Sequence, residues 1–155
     1  SIANYNCPGQ IVITGEADAV AEAGTVLKEA GARRVLPLKV SGPFHSPMMR
    51  PAGEELAKVF ARVSMNPLKI PYVANINAEV ITDCGRIEGL LVEQVSGSVR
   101  WQQSVETMIR EGVDTFVEIG PGKTLTGFLR KIDKNVKAYH IGSWEEAVQV
   151  CEELK

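Results

Sequence analysis

The sequence predicts a mixed α/β protein in two parts, a small unit over residues 1–40 and a parallel sheet with helices on its faces over residues 41–155. Three observations support this prediction. Strand-like and helix-like segments alternate through most of the chain, which is typical of parallel sheets covered by helices. The first forty residues instead follow the order strand, strand, helix, strand. A loop stiffened by Pro43 and Pro47 separates the two patterns and marks the expected boundary.

The small unit begins with two β-rich runs, SIANYN and QIVITG, which the turn residues Cys7-Pro8-Gly9 separate. Residues 16–30 are predicted to be helical because small or apolar residues recur there at helical spacing. The run RRVLPLKV, residues 33–40, is predicted to be a third strand. The order β-β-α-β matches a split β-α-β (ferredoxin-like) unit without its leading β-α, so we expect this unit to be incomplete.

The larger part is predicted to contain five helices and four strands. Each helix is predicted from an apolar stripe at helical spacing. The helices are expected over 52–63, 85–95, 101–111, the residues that follow Gly122, and 144–154. The strands are expected at IPYVAN (70–75), AEVIT (78–82), TFVEI (115–119) and KAYHI (137–141).

Composition excludes several classes of partner. The chain has 155 residues, a net charge of −2 and 45% apolar residues, so nothing favours nucleic acid or an anionic membrane. No apolar run approaches the roughly 18 residues that span a bilayer. Cys7, Cys84 and Cys151 have neither a C-x-x-C nor a metal-ligand spacing, and we expect reduced thiols, no metal site and a cytoplasmic protein.

His45, in the run VSGPFHSPMM, is the first residue that could carry chemistry. The prolines on either side exclude a helix interior and a central strand, so the imidazole lies on a stiff connection between the two parts. Catalytic groups are commonly held in such places. A packed or exposed loop histidine without a catalytic role is the alternative. The other histidine, His140, lies in an apolar strand, where a structural role is favoured.

Gln94 is the second candidate. It continues the apolar stripe of Ile87, Leu90 and Leu91, which places a polar side chain on the core face, and a buried amide must be hydrogen-bonded. A catalytic histidine needs an acceptor that fixes its tautomer, and Gln94 could supply one through its side chain or its backbone. A satisfied glutamine at a helix end is the alternative.

Two other features of the sequence are possible sites. The run EIGPGKTLTG suggests a phosphate loop at a helix N-terminus, but that motif needs a glycine at position 117, where Val117 stands. Nucleotide hydrolysis is therefore not expected. Asn4 and Asn6 alternate along the first strand and point to one face, as site residues or as the solvated edge of a sheet.

A nucleophile for His45 is not evident, because the serine turn G-x-S-x-G does not occur in this sequence. Four segments nevertheless resemble the malonyl-CoA:acyl carrier protein transacylase family in its order and spacing. They are NYNCPGQIVITG, LPLKVSGPFHSPMM, LVEQVSGSVRW and FVEIGPGKTLTGFLRK. The resemblance covers all 155 residues, and the four motifs together are very specific.

The resemblance implies a fold and a set of roles. Residues 41–155 would be the C-terminal part of an α/β-hydrolase-like parallel-sheet domain. His45 matches the catalytic histidine, and Gln94 matches the glutamine whose main-chain carbonyl holds it. Asn4 and Asn6 match residues that line the site, and Phe44 would contact the acyl α-carbon and favour malonyl over methylmalonyl.

The family's reaction takes malonyl from malonyl-CoA onto a serine and then onto the phosphopantetheine thiol of acyl carrier protein, in fatty-acid synthesis. Coenzyme A thioester is a substrate, and no cofactor is implied. The N-terminal half of the family, with its serine, has no counterpart here, so we expect a fragment that needs that half as its partner. The alternatives are a non-catalytic module that binds acyl carrier protein or coenzyme A, and a piece of a polyketide synthase.

Overall fold

Six helices and six short strands make up the computed structural model, which describes all of residues 1–155. The small unit contains β1 (Ile2–Cys7), β2 (Gln10–Ile13) and α1 (Ala17–Glu29). The remainder contains α2 (Arg50–Phe60), β3 (Tyr72–Val73), β4 (Val80–Ile81), α3 (Ile87–Ser96), α4 (Trp101–Arg110), β5 (Thr115–Ile119), α5 (Thr124–Ile132), β6 (Lys137–Ile141) and α6 (Trp144–Glu153). Single turns of 3₁₀ helix precede α2 and α3, at Pro47–Met49 and Cys84–Arg86.

The strands form three two-stranded sheets. β1 and β2 are an antiparallel hairpin, and β5 and β6 are a parallel pair in which Val117 faces Tyr139. The predicted mixed α/β fold is confirmed. The expectation that strands of the larger part are parallel is wrong for β3 and β4, which pair antiparallel. The connection between them is a short turn, whereas a parallel pair needs a crossover of about a dozen residues or more.

The predicted strand over residues 33–40 is wrong, because the segment belongs to no sheet. A strand is stabilised by a neighbour that accepts and donates its main-chain hydrogen bonds. The backbone hydrogen bond found within this segment is local, from the Val40 amide to the Leu38 carbonyl at 3.1 Å. Leu36, Leu38 and Val40 are 58%, 59% and 64% exposed. Apolar content and β propensity are local properties, whereas pairing is not.

β1 joins the small unit to the rest of the chain through its backbone. The Tyr5 amide donates to the Val99 carbonyl at 2.8 Å, and the Val99 amide donates to the Ala3 carbonyl at 2.7 Å. The buried side chains Ala3 and Cys7 of β1 lie on the side that contacts α4 and α5. The division at residue 40 stays a prediction. None of the helices is long and apolar enough to cross a membrane.

α2 and α3 pack closely together and fix the position of the loop that precedes α2. A Cβ atom at Gly53 would lie 3.1 Å from the Val92 carbonyl oxygen, so a side chain there would separate the helices. This close approach holds residues 40–49 beside the C-terminal end of α3. The loop that carries His45 and the helix end that carries Gln94 are thus neighbours, as the predicted pairing of these two residues requires.

Candidate active site

The loop around His45 is held in an unusual conformation. His45 has a φ of +58°, in the left-handed region that residues with a side chain seldom adopt. The Ser46 hydroxyl donates to the Pro43 carbonyl at 2.7 Å, and the Met48 amide donates to the Ser46 oxygen at 3.3 Å. Ser46 thus caps the short 3₁₀ turn. The loop is fixed by its own hydrogen bonds and by its prolines, and His45 stands at its bend.

The imidazole of His45 contacts the main chain of Gln94. Its Nδ1 lies 3.1 Å from the Gln94 carbonyl oxygen. Because a carbonyl only accepts, this hydrogen bond requires the proton to be on Nδ1. The lone pair of the neutral ring is then on Nε2. His45 is half-buried, and in this neutral tautomer Nε2 is the nitrogen that can accept a proton.

The carbonyl of Gln94 is free to accept because α3 ends beside it. The last helical amide is that of Gly97, which donates to Glu93 at 2.9 Å, and Gly97 itself is extended with a φ of −102°. Carbonyls of the last helical turn have no partner within the helix and carry the negative end of its dipole. The Gln94 carbonyl is therefore available as the acceptor for the imidazole of His45.

The side chain of Gln94 holds this helix end together. Its amide nitrogen donates to the carbonyls of Gly97 at 2.9 Å and Ser98 at 3.4 Å. Its amide oxygen is buried and has no hydrogen-bond partner. The sequence did not decide whether the side chain or the backbone of Gln94 would bind His45. The backbone carbonyl makes the contact, and the side chain binds the carbonyls of Gly97 and Ser98.

β1 reaches the same helix end from the other side. The Ser98 hydroxyl donates to the Ile2 carbonyl at 2.6 Å, and Asn4 pairs with Val99 in a parallel bridge. Asn4 and Asn6 are both half-buried. The residues after Gln94 thus connect the His45 contact to the strand that bears both asparagines. Substrate contact by Asn4 and Asn6 stays a prediction.

Phe44 lies immediately before His45 and is 47% exposed. Its ring lies over Gly42, where a Cβ atom would be 3.7 Å from the ring's Cζ. Contact between Phe44 and an acyl group stays a prediction.

His140 is in a different setting, at the end of β6. Its side chain is only 9% exposed, and its Nε2 lies 2.9 Å from the Gly120 carbonyl oxygen, which requires a proton on Nε2. Its Nδ1 is 3.5 Å from a carboxylate oxygen of Glu146, too far for a good hydrogen bond. The Gly142 amide, aided by His140 and Lys123, lowers the pKa of Glu146. These contacts tie β6 to α6 and fit a structural role.

The rejected phosphate loop has a carboxylate at the start of its helix. Glu118 accepts hydrogen bonds from the amides of Leu125 and Thr126 at 3.1 and 2.8 Å and from the Thr126 hydroxyl at 2.6 Å. Gly120, with a φ of +139°, allows the turn between β5 and α5. The amides at this helix start are thus satisfied by the chain itself. This cap is not evident from the sequence pattern, because its carboxylate comes from the preceding strand.

The family model for the acyl transferase domain matches residues 1–150. The chain belongs to the acyl transferase family. It is 42% identical over 154 residues to the malonyl CoA-acyl carrier protein transacylase of Bacillus subtilis, covering 99% of this chain and 49% of that protein. The resemblance drawn from the four motifs is confirmed, and the matching part of these transacylases is their C-terminal half.

Solved structures agree with this assignment. The structure of MCAT from Streptococcus pneumoniae superposes with a TM-score of 0.93 at 44% identity, covering 99% of this chain and 50% of that one. A second, of a malonyl-transacylase in complex with a type II polyketide synthase acyl-carrier protein, superposes with a TM-score of 0.95 at 37% identity, over 99% of this chain and 50% of that one. This acyl transferase chain spans about half the length of the relatives it matches.

Proposed function

We propose that this chain supplies the acid–base half of a malonyl-CoA:acyl carrier protein transacylase active site, with His45 as the base. The observation that carries the proposal is the 3.1 Å contact between His45 Nδ1 and the Gln94 carbonyl. It places the proton of the neutral ring on Nδ1, so that Nε2 is the nitrogen that can accept a proton, and it orients the ring, as a general base requires. The names of the relatives supply the substrate class, and the nucleophilic serine is proposed to come from the N-terminal half of the enzyme.

The proposed reaction has two symmetrical steps. In the first, His45 Nε2 takes the proton of the serine hydroxyl while the serine oxygen attacks the thioester carbonyl of malonyl-CoA. The carbon–sulfur bond breaks, and the coenzyme A thiolate leaves with the proton from Nε2. In the second, Nε2 takes the proton of the phosphopantetheine thiol of acyl carrier protein, whose sulfur attacks the acyl-serine. The bond between the serine oxygen and the acyl carbon breaks, and the serine oxygen takes the proton back from Nε2.

Two features of the chain support His45 in this role. The carbonyl at the end of α3 favours the imidazolium that forms in each step, because it presents the negative end of the helix. The left-handed loop conformation fixes the ring without help from the substrate. Acid–base assistance of this kind accelerates a reaction by roughly 10² to 10⁴.

The proposed function also specifies the ligands and the cellular compartment. Malonyl-CoA and acyl carrier protein are the partners, with coenzyme A thioester as a substrate and no resident cofactor. Asn4, Asn6 and Phe44 are proposed to contact the acyl group. The three cysteines are all unpaired, which supports a reducing compartment, and we place the reaction in the cytoplasm, in fatty-acid synthesis.

A module that binds acyl carrier protein or coenzyme A without catalysis is the second candidate function. The absence of a G-x-S-x-G segment from this chain favours it. The two candidate functions differ in whether His45 affects the rate of malonyl transfer, and one experiment therefore distinguishes them.

The deciding experiment compares His45→Ala with His140→Ala in the enzyme that contains both halves. Removal of His45 should lower kcat/KM for malonyl transfer by ~10² to 10⁴ without loss of fold. Removal of His140 should lower the melting temperature and leave the rate per folded molecule nearly unchanged, because its hydrogen bond joins β6 to the turn that follows β5. Near-normal activity of folded His45→Ala would contradict the proposal and favour the binding module.

A further inference from the structure

Ser46 makes the two side-chain hydrogen bonds that bracket His45. Its hydroxyl donates to the carbonyl of Pro43, three residues earlier, and accepts from the amide of Met48, two residues later. Ser46 is 1% exposed, so neither bond competes with water. The only other side-chain hydrogen bond of the segment 43–48 is that of His45 itself to Gln94. Ser46 is thus the one side chain whose hydrogen bonds connect the residues before His45 with the residues after it.

The backbone of His45 needs such a tie. A residue with a Cβ atom is disfavoured in the left-handed region, and it stays there only when its surroundings hold it. The flanking prolines restrict their own φ angles but not that of His45. The Phe44 side chain is half exposed and makes no hydrogen bond. The Ser46 hydroxyl is the side-chain group that holds the bend on both sides, and the backbone adds a hydrogen bond from the Met49 amide to the Ser46 carbonyl at 2.9 Å.

We infer that Ser46 is a positioning residue, which keeps His45 in the left-handed conformation and so aims its Nδ1–H at the Gln94 carbonyl. The inference rests on the proposed function of His45 and adds to it the residue that fixes the base. Without the hydroxyl, the backbone of His45 can relax towards an ordinary φ. The imidazole then moves away from Gln94, and its proton is no longer confined to Nδ1.

The alternative is that Ser46 only caps the 3₁₀ turn Pro47–Met49. A cap contributes to stability and leaves the base untouched. The chain offers a matched control in Ser143, which caps α6 by accepting from the Glu146 amide at 3.2 Å and lies on the connection between β6 and α6. Ser143→Ala removes a serine cap of the same kind without altering the segment that carries His45.

The test uses the enzyme that contains both halves and compares Ser46→Ala, Ser46→Cys and Ser143→Ala. Three quantities are measured: kcat and KM for malonyl transfer, the melting temperature, and the tautomer of His45 from its ¹⁵N imidazole resonances, assigned by their loss in His45→Ala. We expect Ser46→Ala to lower kcat about tenfold at nearly constant KM, the scale of one or two lost hydrogen bonds. Its imidazole should change from Nδ1–H to a mixture of tautomers.

Ser46→Cys should be intermediate, since a thiol of similar shape donates more weakly than a hydroxyl. Ser143→Ala should lower the melting temperature with unchanged kcat and tautomer. If Ser46→Ala is folded and behaves like Ser143→Ala, the inference is overturned. Should Ser46→Ala not fold, wild-type kcat and tautomer in Ser46→Cys overturn it instead.

The tautomer measurement separates this inference from the proposed function. If His45→Ala keeps its activity, His45 is not the base and the proposed function fails. The resonances of His45 still report whether Ser46 orients the ring. A shifted tautomer in Ser46→Ala with unchanged kcat would keep Ser46 as the residue that orients His45 and contradict the role of His45 in the rate.

Discussion

The side-chain amide of Gln94 donates to the carbonyl of Gly97 at 2.9 Å, across the end of α3. Gly97 lies in a tight space, where a Cβ atom would overlap Ile76 Cδ1 and approach the Glu93 carbonyl oxygen to 3.0 Å, so a side chain there would have to displace Ile76. The chain leaves the helix at Gly97, which is extended, and the Gln94 carbonyl accepts from His45. Gln94 therefore acts twice. Its carbonyl accepts from His45, and its side chain stabilises the backbone at Gly97, where α3 ends.

Gln94→Ala should lower kcat/KM of the enzyme containing both halves by a few-fold to about tenfold, less than His45→Ala. The carbonyl that contacts His45 remains, but two carbonyls at the helix end lose their donor, at about 0.5 to 1.5 kcal/mol for each lost hydrogen bond. Steady-state kinetics on folded enzyme measures the effect. Gln149→Ala is the control, because its amide binds only Glu153 on α6. Loss as large as that of His45→Ala would mean that the side chain itself contacts the reactants.

Phe44→Ser should raise transfer of methylmalonyl relative to malonyl by roughly tenfold, the scale of one excluded methyl group. Competition between the two thioesters, read by mass spectrometry of the carrier protein, gives the ratio. Met48→Ser is a matched control, because Met48 is exposed to the same 47% and lies three residues after His45. An unchanged ratio in Phe44→Ser would show that the ring does not face the acyl group.

The sequence predicted the helices closely and the strands less well. The apolar stripe beginning at Trp101 predicted residues 101–111, and the helix spans Trp101–Arg110. A helix satisfies its hydrogen bonds within one segment, so its signal is local. The run at 33–40 has the composition of a strand but lacks a partner, and no property of those eight residues reveals that.

At the candidate site, too, features that depend on neighbouring residues were predictable from the sequence, whereas features that depend on contacts between distant residues were not. The place of Gln94 in the apolar stripe of α3 predicted a hydrogen-bonded glutamine, and its side chain does make hydrogen bonds. The stripe is less buried than expected, since Leu91 is 40% exposed and Gln94 is half-buried. The resemblance named the Gln94 carbonyl. The residues alone could not choose between carbonyl and side chain, because the end of α3 depends on how Gly97 fits against Ile76. Likewise, the cap on α5 comes from Glu118, which precedes the helix by six residues and reaches it only through the turn at Gly120.

Glu118→Gln should destabilise the protein by about 1 kcal/mol at neutral pH, the usual scale of a lost helix cap. Partial burial on its own raises the pKa of Glu118, but hydrogen bonds from Thr126 and Leu125, with the nearby charge of His140, lower it below the ordinary glutamate value. A carboxylate with a lowered pKa contributes stability above its unfolded pKa and loses it as the pH falls through its folded pKa.

The difference between wild type and Glu118→Gln should therefore be full at pH 7 and shrink as the pH falls below about 4.5. Urea unfolding at several pH values measures it. Glu55→Gln serves as control, because Glu55 pairs only with exposed Lys58. A difference that stays constant down to pH 3 would mean that the charge of Glu118 is not what caps α5.

The isolated 155-residue chain should have no transacylase activity. His45 can move a proton only to and from a nucleophile, and the serine turn G-x-S-x-G is absent from this sequence. Malonyl transfer from coenzyme A to acyl carrier protein, followed by mass spectrometry of the carrier, should stay at the uncatalysed rate. Addition of a separately produced N-terminal half should restore turnover, and the same mixture made with His45→Ala should not. Turnover by the 155-residue chain alone would require a nucleophile within it and would refute the division of roles proposed here.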